Sequence, residues 1–163
     1  MGIVMEEKSF NCSLELAYPP EADALHDRRD IITLYRLYAA KLAAFDRYLY
    51  LNIVNAEEHR VLADIYDCIA ACELKHFKML GHILHRSGVS LDVRGAVVGA
   101  KRGASDGFSD DIAAEEASSL EFARAAAACA DEKLSQLYSR LALDEEHHAE
   151  ILARVKKRYK ADC

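Results

Sequence analysis

Two segments of the chain share one arrangement. Glu73-Leu74-Lys75-His76 and Glu145-Glu146-His147-His148 each set a glutamate three residues before a histidine. Both lie in long, proline-free runs rich in helix formers. On a helix, residues three apart share a face. Leu62, Ile65, Ile69, Leu80 and Ile83 continue the first face; Leu134, Tyr138, Leu141, Leu152 and Val155 continue the second. Stripes of this kind turn toward a core. A carboxylate and an imidazole on a core face are costly unless they are paired or bind a metal. Two such motifs on separate helices, with a carboxylate from each of two more, form the di-metal site of a carboxylate four-helix bundle. The blander alternative is two solvated polar clusters on an ordinary bundle.

Composition agrees with an all-α fold. The chain has 163 residues, of which 52% are apolar and only Pro19 and Pro20 are proline. That length suits one domain with one core. The net charge of −6, with both signs interspersed, gives no case for nucleic acid or an anionic membrane surface. No apolar run reaches the roughly 20 residues that a membrane span needs. Met1 to Phe10 is mixed and acidic, unlike a signal peptide. Five scattered cysteines make no disulfide framework, so a cytoplasmic location is expected. Cys68 and Cys72, four apart, are expected as small core-filling side chains.

In chain order, residues 1–27 lack a sustained period and read as an extended arm on the bundle or on a neighbouring subunit. Residues 28–160 read as the bundle, with helix 1 over Arg28 to Asn55 and Asp27 as its N-cap. The apolar positions of helix 1 cover more than one face, which predicts a homodimer or larger homo-oligomer. Helix 2 is expected over Glu58 to Arg86, ended by Gly88 in a left-handed cap. Ser87 to Ser109 holds five of the seven glycines. Its about 22 residues can span ~70 Å, more than the ~45 Å of a 30-residue helix. A crossover loop between helices 2 and 3, running the length of the bundle, is therefore expected, and disorder of Gly95 to Gly107 is equally compatible with the composition. Helix 3 is expected over Asp110 to Ala130, capped by Ser109, Asp110 or Asp111, and helix 4 over Glu132 to Tyr159.

Hairpin register completes the site. A turn near residue 130 sets Glu115 opposite Glu145, with Glu116 one step round the helix. A turn near residue 57 sets Lys41 opposite Glu73, on the stripe Leu34, Tyr38, Lys41, Phe45, Tyr48. The geometry asks for a carboxylate there, and the sequence supplies an ammonium.

These segments together resemble the ferritin-like proteins of the rubrerythrin and bacterioferritin type. Tyr38-Ala39-Ala40-Lys41-Leu42-Ala43-Ala44 is similar to the family's first-helix segment, with Lys41 on the position of a ligand Glu. Glu73 to His76 is similar to the second-helix segment, Ala114-Glu115-Glu116 with Phe122 to the third, and Asp144 to His148 to the fourth. The resemblance implies a metal site of Glu73, His76, Glu115, Glu145 and His148, occupied by Fe or Mn. It implies an oxidoreductase acting on peroxide, O2 or Fe(II), with Lys41 and Tyr38 as candidate catalytic groups beside it.

Lys41 alters that expectation. Three carboxylates against one ammonium leave two negative charges, which one divalent cation neutralises. The sequence thus predicts a single metal held by Glu115, Glu145 and His148, with Glu73 bridging toward it and Lys41 pairing with Glu73. A protonated lysine has no lone pair to offer a metal. The competing reading is a non-catalytic bundle, a structural or interaction module in which the same residues form an internal salt-bridge cluster.

Overall fold

The computed structural model describes residues 11–94 and 107–161. Within them are four helices and no strand: α1 (Arg28–Asn55), α2 (Arg60–Arg86), α3 (Gly107–Ala128) and α4 (Glu132–Ala161). The Asp27 side chain caps α1, accepting from the backbone N–H of Arg29 at 2.7 Å and of Asp30 at 3.1 Å. Asp131 serves α4 in the same way, accepting from Leu134 N–H at 2.8 Å. Four boundaries differ from expectation: α3 ends at Ala128 rather than Ala130, α4 ends at Ala161 rather than Tyr159, and two helix starts move. Helix 2 starts two residues late, with His59 at its N-cap in a non-helical conformation and no side-chain capping bond. Helix 3 starts three residues early, at Gly107, so Asp110 and Asp111 lie inside it rather than capping it.

Side-chain pairings fix the helix directions. Tyr38 stacks on Phe77, Tyr48 on Tyr66, and Asn52 donates to the Ala63 carbonyl, so α1 and α2 are antiparallel. Ser119 bonds Ala142 and Ser135 bonds Ala126, so α3 and α4 are antiparallel too. Across the two hairpins, Lys41 meets Ser118 while Arg47 meets Asp111, which sets α1 against α3. It follows that α2 and α3 point the same way.

After α2 the chain turns at Gly88, whose φ of +77° favours glycine. Val89 N–H closes onto the Leu84 carbonyl at 3.1 Å, and Tyr38 donates to the Asp92 carbonyl at 3.1 Å. Residues 88–92 therefore run back along the bundle by more than a turn. The glycine-rich part of the expected crossover, Gly95 to Gly103, lies outside the described residues.

The core has two halves. One contains Leu34, Leu37, Tyr38, Leu80, Leu84, Phe122, Leu134 and Tyr138. The other contains Tyr48, Leu62, Ile65, Tyr66, Phe108, Leu152 and Val155. Between them lies a layer of buried polar groups: Lys41, Glu73, His76, Glu115, Asp144, Glu145 and His148. The apolar halves supply the stabilisation, at about 1.5–3 kcal/mol for each large side chain fully buried. The polar layer costs several kcal/mol per ion in desolvation before its mutual attractions are counted.

The arm lies on its own bundle. Cys12 and Cys68 form a disulfide, with Cα atoms 5.8 Å apart, so Cys68 does more than fill space. Arg140 of α4 holds the arm's Leu14 and Leu16 carbonyls at 3.0 and 3.2 Å. No helix among the described residues is long and apolar enough to cross a membrane.

Candidate metal centre

Each helix delivers its part of the polar layer at mid-length. Lys41 comes from α1, Glu73 and His76 from α2, Glu115 from α3, and Asp144, Glu145 and His148 from α4. Glu115 is buried and Glu116 exposed, so the register favours the former.

Lys41 Nζ stands 2.8 Å from Glu73 Oε2, donates to Ser118 Oγ at 3.1 Å, and is also paired with Glu145 Oε2. Below it the Phe122 ring centroid is 5.5 Å away. Burial works against the ammonium, but the charges of Glu145 and Glu73 outweigh it and raise its pKa. Lys41 is therefore a fixed cation and not a ligand. Glu145 shows the reciprocal effect: burial opposes its charge, yet Lys41 and then His76 hold its carboxyl well below the usual range.

On the far side of Glu73, His148 Nδ1 lies 3.2 Å from Glu73 Oε1 and 3.3 Å from Glu115 Oε2. Tyr48 donates its hydroxyl to the other Glu115 oxygen. Burial, with the nearby charges of Glu145 and Glu73, raises the Glu115 pKa. Burial also disfavours charge on His148, but Cys72, Glu115 and Glu73 together raise its pKa well above the usual value.

One ligand atom from each of Glu73, Glu115, Glu145 and His148 lies within 4.8 Å of the others. Donors at about 2.1 Å from one cation stand about 3.0–3.4 Å apart between octahedral and tetrahedral angles. The two His148 separations fall in that range. Neither Glu73 oxygen has a hydrogen-bond donor of good geometry, although both face cationic groups. Three carboxylates and an imidazole are donors of the kind that hard and borderline divalent ions accept. Lys41 Nζ fills the space between Glu73 Oε2 and Glu145 Oε2.

His76 turns elsewhere. Its Nδ1 meets Glu145 Oε1 at 3.1 Å, while Nε2 faces Asp144 Oδ2 at 3.0 Å and the Cys72 thiol at 3.4 Å. Asp144 also accepts from Tyr18 at 2.6 Å and pairs with Arg140 at 2.6 Å. Tyr38, the other candidate catalytic group, has its hydroxyl on the Asp92 carbonyl and its ring on Phe77.

Sequence reasoning missed Cys72, Asp144, Tyr18, Ser118 and Arg140. Cys72 adjoins Glu73 and lies four residues, about one turn, before His76, a chelating interval that is a signal in the sequence. Comparison with family models, with curated proteins and with solved structures finds no match for this chain.

Proposed function

We propose that the chain is a ferritin-like metal-binding protein holding one divalent ion on Glu73, Glu115, Glu145 and His148. The Lys41 ammonium stands in the place of a second ion. The observation that carries this reading is the convergence of those four donors from three helices within 4.8 Å. The common direction of α2 and α3 supports a ferritin-like crossover between them. The exposed Ile32, Ile53 and Val54 on α1 support a homodimer.

Iron or manganese on such ligands supplies one-electron chemistry toward peroxide, O2 or Fe(II), which makes an oxidoreductase the leading activity. The chain's own groups set the conditions. Lys41 holds one oxygen each of Glu73 and Glu145 and fixes a positive charge beside them. Tyr48 orients Glu115 and has a proton to offer at its Oε1. The apolar halves above and below keep bulk water out.

A second reading is favoured by the ion pairs themselves. With both histidines protonated, Lys41, His76 and His148 balance Glu73, Glu115 and Glu145 without any metal. The protein would then be a structural or interaction module. Equilibrium dialysis against Mn(II) separates the two. One ion per chain, lost in Glu115→Gln, supports the metal site; no bound ion leaves the salt-bridge cluster. Peroxide consumption by the Fe- or Mn-loaded protein then tests the activity.

A further inference from the structure

A second cluster lies beside the first and touches it where His76 meets Glu145, but its three groups are not ligands of the proposed acidic site. Cys72 Sγ, His76 Nε2 and an Asp144 carboxylate oxygen lie within 4.8 Å of one another, and all three residues are buried. We propose that these three groups form a separate site for a borderline-soft divalent cation, with zinc as the fitting ion.

The ligand chemistry differs from that of the acidic site. A thiolate and an imidazole select zinc over the hard ions that carboxylates prefer. Cys72 and His76 are four apart on α2, so both side chains reach one point from successive turns. Thiolate and carboxylate together match the charge of a divalent ion. Around tetrahedral zinc, an imidazole nitrogen stands about 3.6 Å from a thiolate sulfur and about 3.3 Å from a carboxylate oxygen. The corresponding separations here are 3.4 and 3.0 Å, so a small outward shift admits the ion.

The surrounding groups already orient the ligands. Glu145 Oε1 accepts from His76 Nδ1 at 3.1 Å, which leaves Nε2 directed at the cluster. A carboxylate behind a ligating imidazole is the usual support of a metal-bound histidine. Asp144 divides its two oxygens. Oδ1 takes Arg140 at 2.6 Å and Leu14 N–H at 3.2 Å, while Oδ2 is the one turned toward His76. Tyr18 of the arm closes the fourth side, its hydroxyl 2.6 Å from Oδ2 and its ring edge-on to His76. The Cys12–Cys68 disulfide pins that arm one helical turn away from Cys72. The three ligands are distinct from Glu73, Glu115, Glu145 and His148, although Glu145 touches both clusters through His76.

The test uses the full chain, stripped with chelator and titrated with Co(II) as a probe for zinc. A thiolate-to-cobalt charge-transfer band in the near ultraviolet is expected, and Zn(II) should abolish it by displacement. Cys72→Ser should remove the band and weaken zinc binding on the order of a hundredfold or more, since even supporting residues cost 10–100-fold. Glu115→Gln should keep the band while losing Mn(II), which separates failure of this site from failure of the acidic one. Zinc-edge X-ray absorption on the unsubstituted chain, which needs no variant to fold, should show one sulfur ligand. A shell of nitrogen and oxygen alone, a band that survives in Cys72→Ser, or no cobalt binding at all would overturn the proposal.

Discussion

Replacing Lys41 by Met keeps most of the side chain's apolar stem and removes its charge with the hydrogen bond to Ser118, so little of the effect comes from packing. Lys41 is 2% exposed and pairs with Glu73 and Glu145, both at 0%. Removing one partner of a buried ion pair typically costs 3–5 kcal/mol, because the remaining charge loses its compensation. For a chain of this size each kcal/mol moves Tm by about 2–4 °C, so the expected loss is roughly 6–20 °C. Thermal unfolding followed by circular dichroism in excess chelator measures it directly. Mn(II) should then restore more stability to Lys41→Met than it adds to the unsubstituted chain, since the ion takes over neutralisation of the same carboxylates. An ion at 100 times its Kd contributes about 2.7 kcal/mol. A melting temperature in chelator within 2 °C of the parent would refute the claim that Lys41 compensates buried carboxylates.

Reducing the Cys12–Cys68 bridge, or substituting Cys12→Ser, should free the arm; with the cysteines 56 residues apart in sequence the chain-entropy cost is about 4 kcal/mol. Limited proteolysis should then cut within residues 11–27, and an arm that stays protected would contradict its tethering role. Burial pushes the Cys129 thiol up to about 11, against a smaller opposing effect of a backbone hydrogen bond with Asp131. Its protonated form therefore persists to high pH, and alkylation at pH 8, followed by peptide mass spectrometry, should be roughly two orders slower than for a free thiol of pKa about 8.5. Gly88→Ala should cost about 1 kcal/mol, because φ is +77° and the added Cβ meets strain rather than a neighbour; an unchanged denaturation midpoint would show that the turn relaxes freely.

The convergence of Lys41, Glu73, Glu115, Glu145 and His148 was legible because helices obey a fixed period. Once two stripes and two turns are placed, the height and face of each residue follow. Lys41 opposite Glu73 came from counting back along a hairpin. The same rule hid Asp144. It lies 100° round α4 from Glu145, on a face that periodicity alone leaves at the edge, and it is buried by an arm with no period of its own. Tyr18 and the Cys12–Cys68 pair were hidden for the same reason, since their partners are 126 and 56 residues away with no local pattern to announce them. The early start of α3 at Gly107 shows a weaker ambiguity: Ser109, Asp110 and Asp111 are each good caps, and a run of good caps does not say where the helix begins.

The polar layer remains the feature that the rest of the molecule has to accommodate, because apolar side chains in its place would fold as well or better. Anomalous diffraction from crystals of the protein soaked in Mn(II) tests its purpose most directly. One manganese peak per chain is expected, within ligand distance of Glu73, Glu115, Glu145 and His148, with Lys41 Nζ still seated on Glu73 and Glu145. Two manganese peaks with Lys41 displaced, or none in the layer, would contradict the one-ion account.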